Sequence, residues 1–293
     1  MKLIHYLYRS AGSVRFISDI KMPIAPCGHE AFFLAKVADI CYSFFERRMR
    51  MDYILQTENL SKAYGDKLVL DNINLKIKAG SIFALIGENG AGKTSLLKIL
   101  SGLAKASQGN IDYPTLDRSD DRPVMSLTLE EPGVIENMTA YENLKAKGIL
   151  CGASEEEIRK LLDSVSLTEA ANKKVKKFSM GMKQRLAIAL ALLNKPNLVF
   201  FDEPINGLDP QGIKWFRDLV LDLNRDLGTT FIISSHILSE LGLIASDFAF
   251  MHQGRLILTA TGPQLNAYCQ KNNISLENFY FNLLQNPFKG VDL

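Results

Sequence analysis

The chain has 293 residues, a formal net charge of +2 at neutral pH and four scattered cysteines without a CxxC pair. No apolar run reaches the roughly 20 residues that a transmembrane helix needs, so the sequence excludes a membrane span of its own. The unpaired cysteines favour a reduced cytoplasm. The length after Met51 suits one large α/β domain with an inserted subdomain.

The first 50 residues differ in charge from the rest, with +4 here and −2 for the remainder. Range 31–48, AFFLAKVADICYSFFERR, could form an amphipathic helix on a membrane surface. The pattern of the following domain begins at Met51, which is a natural translation start. We favour a start at Met51 over a real extension, and leave range 1–50 as an unassigned basic segment.

A phosphate-binding loop is predicted at GENGAGKT, range 87–94, which fits G-x-x-x-x-G-K-[ST] without a mismatch. An apolar strand, SIFALI, precedes the loop, and the leucines that follow have helical spacing. Lys93 is expected to reach the outer phosphates, and the Thr94 hydroxyl to ligate Mg²⁺. The loop backbone that would surround the phosphates of ATP or GTP belongs to Gly87, Glu88, Asn89, Gly90, Ala91 and Gly92.

A helical region is predicted over range 137–177. Ser154 and Glu157 form a capping box that opens SEEEIRKLLDSV. The apolar residues on one face of that helix are Ile158, Leu161, Leu162 and Val165. The lysines of range 173–177 are interpreted as a solvated face, with contact to an acidic lipid or partner as the alternative. Ser179 then begins the apolar stretch MKQRLAIALALLN, so it is expected at a helix N-terminus, where anions are favoured.

Two carboxylates follow the buried strand NLVFF at the end where α/β folds place their ligands. Adjacent strand residues point to opposite sides, so Asp202 and Glu203 are expected to have different roles. Asp202 suits the Mg²⁺ shell, and Glu203 suits polarising a water for attack on the γ-phosphate. A third strand, range 229–234, leads to His236, which we expect at the same edge as a γ-phosphate contact.

Together these segments resemble the ATP-binding subunit of an ATP-binding-cassette (ABC) transporter over range 51–262. FSMGMKQR resembles the signature segment of that family, with Met180 and Met182 where Gly and Gln are commoner. Ser179 and Gly181, the positions expected to touch the γ-phosphate, are kept. The resemblance implies a P-loop NTPase fold of the α/β class, with a mainly parallel core sheet, an antiparallel β edge and an inserted small helical subdomain.

The resemblance also implies a domain plan and further contacts with ATP. The helical subdomain would span about 137–178 and face the membrane partner, and range 263–293 would be a C-terminal tail. Tyr64 matches the aromatic that stacks on adenine, although an aromatic there could equally be core. Asp209, in the segment Asn-Gly-Leu-Asp, matches the loop that links the two active sites of a dimer.

In this family two cassettes close head to tail, and each ATP lies between the phosphate loop of one subunit and the signature segment of the other. The chain carries one copy of each half-site, so the resemblance implies a second cassette, most simply a homodimer, with ATP and Mg²⁺ as ligands. It also implies a polytopic membrane permease, a peripheral position on the cytoplasmic face of the cell membrane, and no nucleic-acid partner.

One departure from the family pattern narrows the subfamily. Where most cassettes have a Gln that contacts Mg²⁺, this chain has Glu130, in Glu-Glu-Pro-Gly. With the FSMGMKQR signature, this is similar to ATPases that export lantibiotics or bacitracin from immune or resistant bacteria. An exposed acidic turn is the alternative for Glu130. Two other functions stay open: a non-transport cassette that acts on nucleic acid or ribosomes, and a cassette that binds ATP without turnover.

Overall fold

The computed structural model describes residues 52–116, 125–193 and 195–287. The expectations for residues 1–50 lie outside these ranges. The strands are β1 Tyr53–Tyr64, β2 Lys67–Lys78, β3 Ile82–Gly87, β4 Gln108–Asp112, β5 Met125–Thr128, β6 Leu198–Asp202, β7 Thr230–Ser235, β8 Asp247–His252 and β9 Arg255–Thr261. The helices are α1 Lys93–Leu100, α2 Ala140–Cys151, α3 Glu155–Ser164, α4 Met180–Leu192, α5 Pro210–Leu227, α6 Leu238–Leu241, α7 Gly262–Asn272 and α8 Leu276–Gln285, with a 3₁₀ turn at Val175–Lys177.

The strands form two sheets. The larger sheet has the order β5-β6-β7-β3-β8-β9, in which neighbouring strands are parallel except for the antiparallel pair β8 and β9. The smaller sheet is antiparallel, with the order β2-β1-β4. The predicted fold class, an α/β cassette with a mainly parallel core sheet and antiparallel β structure at its edge, is therefore confirmed.

The central strands explain why the site lies where it does. Every residue of β3, β6 and β7 is buried, as expected of parallel strands that are covered on both faces. These three strands lie side by side and run in one direction, so their carboxyl ends meet at one edge of the sheet. The loops that leave this edge carry the predicted phosphate loop, the paired carboxylates and the histidine.

The segment between β5 and β6 is helical and has its own apolar cluster. Helices α2 and α3 both begin with a capping box, and the predicted box of Ser154 and Glu157 is present in full. Ile158 and Leu162 of α3 are buried there together with residues of α2 and α4. Thus the 3.6-residue spacing of apolar positions in α3 reflects packing between helices rather than against the large sheet.

The region after β9, expected to be a tail, contains two packed helices. Thr261 caps α7 with a capping box, and Ser275 caps α8 by accepting a hydrogen bond from the backbone N–H of Asn278. Phe279 and Leu283, one turn apart on α8, are buried in the same cluster as β3 and β8. No helix in the described ranges is both long and apolar enough to cross a bilayer.

Candidate nucleotide-binding site

The phosphate loop joins the end of β3 to the start of α1. Gly90 and Gly92 have φ angles of 81° and 105°, which side-chain-bearing residues rarely adopt. A Cβ on Gly87 would lie 2.8 Å from the carbonyl oxygen of Met251, whereas no atom lies within 4 Å of the Cβ position at Gly90. The backbone of the loop is therefore unobstructed at Gly90, beside the N-terminus of a helix, as the predicted phosphate site requires.

The turn between β8 and β9 supports the loop from within the fold. The backbone N–H of Gly254 donates to the carbonyl oxygen of Ala91 over 3.0 Å. Nδ1 of His252 lies 3.5 Å from Oε2 of Glu88. Glu88 and Asn89 are exposed and Ala91 is buried. The side chains of Glu88 and Asn89 are therefore open to solvent, while the backbone at Ala91 is anchored to the turn between β8 and β9.

Lys93 is the buried cation of the loop, with 6% of its surface exposed. Its ammonium donates to the carbonyl oxygens of Gly87 at 2.6 Å and Glu88 at 3.2 Å. Oε1 of Glu203 lies 3.1 Å from the same nitrogen. The loop carbonyls therefore keep a positive charge at the point where phosphates would enter.

Asp202 and Thr94 supply oxygen atoms suited to Mg²⁺. Oδ2 of Asp202 accepts a hydrogen bond from the Thr94 hydroxyl at 2.7 Å, and Oδ1 accepts one from the Ser234 hydroxyl at 2.7 Å. Magnesium prefers such oxygen ligands, takes few from protein and completes its shell with water and phosphate. No cluster of three or more His, Cys, Asp or Glu side chains suited to a metal occurs among the described residues.

Glu203 is buried and follows the last residue of β6, Asp202, in the chain. Its φ angle is +49°, an unusual value for a residue with a side chain. Its backbone N–H donates to the hydroxyl of Ser234 at 3.0 Å and to the carbonyl oxygen of that residue at 3.2 Å. Ser234 thus contacts both carboxylate residues, the side chain of Asp202 and the backbone of Glu203.

The two carboxylate oxygens of Glu203 have different environments. Oε2 lies 2.9 Å from Nδ1 of His236, which donates when that nitrogen carries the proton. Oε1 is buried beside Lys93 but makes no hydrogen bond of acceptable geometry. A buried carboxylate oxygen with unused acceptor capacity is what a general base needs in order to bind an attacking water.

Tyr64, at the end of β1, has a half-exposed ring, with 50% of its surface accessible. The ammonium of Lys62 lies 4.8 Å from the ring centroid. The exposed part of the ring offers an aromatic face on which a base could stack. This exposure favours the stacking interpretation over a core position.

The signature segment begins α4. Ser179 is its N-cap, and its hydroxyl accepts the backbone N–H of Met182 at 3.3 Å. Gly181 lies close to the loop before α5, because an added Cβ would approach the carbonyl oxygen of Gly207 to 3.3 Å. Met180 is 60% exposed. The helix N-terminus therefore faces outward, with donors available to an anion from another molecule.

Within one chain, Asp209 and Glu130 contact residues of the segment between β6 and α5 or of α5 itself. The Asp209 carboxylate caps α5 by accepting the backbone N–H of Gly212 at 2.8 Å. Oε1 of Glu130 accepts from the side-chain amide of Asn206 at 3.1 Å. The contact given for the Glu130 side chain is thus with Asn206, and no described hydrogen bond joins it to Thr94 or Asp202, the residues expected to hold Mg²⁺.

The structure brings some of the predicted site residues together in one network and leaves the others outside it. One hydrogen-bonded and ionic network holds Lys93, Thr94, Asp202, Glu203 and His236. In the described ranges no hydrogen bond or ion pair joins the signature residues to that network. Sequence reasoning missed the Ser234 hydroxyl, which connects the two carboxylate residues; its position at the end of a buried strand was the available signal.

Comparisons with known proteins agree with this geometry. The family model described as ABC transporter matches residues 70–206. The chain is 43% identical over 207 residues to the lantibiotic transport ATP-binding protein SrtF of Streptococcus pyogenes, an alignment that covers 70% of this chain and 90% of the relative. It is 41% identical over 214 residues to the bacitracin transport ATP-binding protein BcrA of Enterococcus faecalis, with 71% and 70% covered.

Comparison with solved structures also finds components of ABC transporters. An ATP-binding subunit of an ABC transporter aligns with a TM-score of 0.70 at 29% identity, over 79% of this chain and 99% of that one. CbiO1 of Clostridium perfringens, part of the ABC transporter complex cbiONQ, aligns with a TM-score of 0.64 at 28% identity, over 79% and 99%. The sequence comparison and the structure comparison therefore match the same kind of protein over most of the described chain.

Proposed function

Because the chain belongs to the ABC transporter family as an ATP-binding subunit that hydrolyses ATP, we propose that it powers the export of peptide antibiotics through a separate membrane permease. The observation that most directly supports ATP hydrolysis is the buried carboxylate of Glu203. It lies between His236 and Lys93, and one of its oxygens lacks a hydrogen bond. Sequence likeness to lantibiotic and bacitracin transport subunits supports the substrate class.

In the proposed mechanism, the phosphate loop and Lys93 bind the phosphates, and Glu203 takes the proton from the attacking water. His236 fixes the orientation of that carboxylate and lies where it can contact the γ-phosphate. Thr94 and Asp202 would hold Mg²⁺, which neutralises charge on the phosphate oxygens when bound. Charge neutralisation and positioning account for most of the rate enhancement in phosphoryl transfer.

The second half of each site comes from another copy of the chain. Ser179 and Gly181 stand at an outward-facing helix N-terminus, which attracts anions. We assign these residues to the γ-phosphate bound at the phosphate loop of the partner, with Asp209 at the link between the two sites. A two-fold pairing gives both sites at once, because each contact is then made twice.

The substrate class rests on two features besides the named relatives. Glu130 stands where most cassettes have a Gln that contacts Mg²⁺, and Met180 and Met182 give an unusual signature segment. The membrane permease would provide the transport path, which places this subunit at the cytoplasmic face of the membrane. In sequence, the helical subdomain lies between the phosphate loop and the signature helix, and the lysines of range 173–177 are at its end. We expect this subdomain to contact the permease.

Affinity purification of the full chain from its native membrane tests the proposal. We expect a polytopic membrane protein to copurify. Expression of both proteins in a sensitive bacterium should raise the inhibitory concentration of a lantibiotic or bacitracin, and Glu203→Gln should abolish the increase. The matched control is Glu58→Gln, because Glu58 is exposed on β1. Recovery without a membrane partner, or unchanged sensitivity to both antibiotics, would contradict export of this class.

A further inference from the structure

Helices α3, α4 and α5 meet where two side chains contact each other. Arg185 of the signature helix α4 places its guanidinium over the indole of Trp215 of α5, with 4.1 Å between the guanidinium carbon and the ring centroid. The indole Nε1–H donates to the carbonyl oxygen of Ser164 at 2.9 Å, and Nη1 of Arg185 donates to that of Val165 at 3.3 Å. Ser164 is the last residue of α3 and Val165 is its C-cap. We call these four residues the helix junction.

The chemistry of the helix junction suits the end of a helix. The last carbonyl groups of a helix lack partners within it, and the negative end of the helix dipole favours a cation. Arg185 supplies that cation, and both it and Trp215 supply N–H donors. Trp215 also packs against two apolar clusters, that of the large sheet and that of the helical segment. The junction therefore ties α3 and α4 to α5 through directional contacts as well as apolar packing.

The helix junction is a short way along each helix from the residues assigned to the ATP of the partner. Arg185 follows Ser179, the N-cap of α4, by six residues, and Trp215 follows Asp209, the N-cap of α5, by the same number. Six helical residues span about 9 Å. Nearer to the N-termini, the first turn of α4 lies against Gly207 in the loop before α5. Two contacts at different distances from the N-termini hold the two helices in one relative orientation, which a single contact does not.

We propose that Arg185 and Trp215 are positioning residues, which hold the N-termini of α4 and α5 in one arrangement so that Ser179 and Asp209 reach the site of the partner together. The proposal rests on the composite site of the proposed function and extends it to residues that touch no nucleotide. A misplacement of about 1 Å in a positioning group is enough to slow a reaction by up to about 10²-fold. The phosphate-loop region has its own buried network, so ATP binding to one chain does not depend on the junction.

The test uses the purified full-length chain and two conservative variants. Arg185→Lys keeps the charge but loses the planar guanidinium, and Trp215→Phe keeps an aromatic ring but loses the N–H donor. Each should lower kcat for ATP, normalised to folded protein, by about tenfold, while the dissociation constant of a fluorescent ATP analogue stays within about twofold. A purely structural role would lower the melting temperature and leave kcat of the folded protein unchanged, which would overturn the proposal.

The fluorescence of the junction gives a second measurement. Trp215 is the single tryptophan of the chain, so its emission reports on this place alone. Arg185→Lys should shift the emission maximum to longer wavelength, because the ring loses its cover and meets more water. The matched control is Lys145→Ala, which removes a cation 5.5 Å from the ring centroid of Tyr141 within α2. The control should change neither kcat nor the emission; an equal loss of kcat in the control would overturn the proposal.

A mixing experiment separates action on the site of the partner from action on the chain's own phosphate loop. In an equal mixture of Arg185→Lys and Lys93→Ala, the mixed dimer joins the intact phosphate loop of the first chain to the intact signature helix of the second. ATPase activity should rise to about a quarter of the wild-type value, above the mean of the separate variants. No rise overturns the proposal when the mixture of Lys93→Ala with Ser179→Arg does recover activity. Failure of both mixtures would instead contradict the composite site of the proposed function.

Discussion

The phosphate-loop region and the signature region differ in how far one chain completes them. Lys93, Asp202 and Glu203 are buried and share hydrogen bonds or ion pairs with each other or with neighbours on β7. Ser179 and Asp209 instead make local contacts, each as the cap of its own helix. The first region is organised before any partner arrives. The second presents a helix N-terminus outward.

The difference shows what each region can do alone. A network of buried charges has a fixed geometry, since removing one partner leaves another charge unpaired in a low-dielectric site. An exposed helix N-terminus has no such network, and its backbone dipole becomes useful only when an anion approaches. ATP binding is therefore a property of one chain, whereas turnover in this account depends on two.

Glu203→Gln gives the largest expected effect, because it removes the proposed general base and keeps the shape of the side chain. We expect kcat to fall by about 10²–10⁴-fold while ATP binding persists and closed dimers accumulate. Single-turnover ATPase assays and size-exclusion chromatography with ATP measure the two effects. Glu58→Gln serves as the exposed control. Hydrolysis at the wild-type rate would show that the role assigned to Glu203 is wrong.

Ser234→Ala tests whether the phosphate-loop region owes its fixed geometry to one hydroxyl. This hydroxyl donates to Asp202 and accepts from the N–H of Glu203. Its loss should lower the free energy of unfolding by about 2 kcal/mol, as for a buried hydrogen bond to a charged group. Urea denaturation measures the change. The control Ser235→Ala removes only a bond to the N–H of Ile237 and should cost about 1 kcal/mol.

A loss for Ser234→Ala no larger than that for Ser235→Ala would mean that other contacts hold the two carboxylate residues. The orientation of Glu203 would then depend on its backbone conformation and on its contacts with His236 and Lys93. The stability difference between the two variants therefore measures how much of the site is organised by this serine.

Tyr64→Ala tests the predicted stacking of the adenine base on the exposed ring at the end of β1. A base that stacks on an aromatic ring gains about 1 kcal/mol or more, so KM for ATP should rise roughly fivefold to tenfold. Tyr64→Phe keeps the ring and should bind ATP as the wild type does. Equal affinity of the alanine variant, measured with a fluorescent ATP analogue, would favour the core interpretation of this tyrosine.

Glu130→Gln should give the smallest effect. Its carboxylate accepts a hydrogen bond from the side-chain amide of Asn206, in the segment between β6 and α5. Removal of one exposed charge near a metal changes affinity by about 1 kcal/mol or less, so the Mg²⁺ concentration for half-maximal turnover should rise by no more than about fivefold. The neighbouring Glu131→Gln is the control. An identical Mg²⁺ dependence in both variants would remove Glu130 from the proposed metal site.

Local sequence patterns predicted the phosphate-loop region well. The strand, glycine spacing and helix around Lys93 each have a direct physical reason, and the two carboxylates were predicted at the carboxyl end of a buried strand, where β6 ends at Asp202. Neither the left-handed backbone of Glu203 nor the bridging role of Ser234 could be predicted, because both arise from pairing between β6 and β7, strands about 30 residues apart in the chain.

The C-terminal region was the least predictable part. Range 263–293 was expected to be a C-terminal tail, yet α7 and α8 pack onto the core, where the ring of Tyr280 lies against that of Phe250 on β8. Such long-range contacts depend on tertiary packing. The signature region is the opposite case. Its residues are recognisable from the sequence, but in the described ranges of one chain no hydrogen bond or ion pair joins them to the phosphate-loop network. Likeness to transporter ATP-binding subunits also sets aside the non-transport alternative.

The most direct test of the central claim mixes two inactive variants. Lys93→Ala removes the cation of the phosphate loop, and Ser179→Arg blocks the signature helix N-terminus, so each alone should be inactive. In an equal mixture that pairs at random, half of the dimers would contain one intact composite site, and ATPase activity should recover to about a quarter of the wild-type value. A mixture no more active than its separate components would contradict a site shared between two chains.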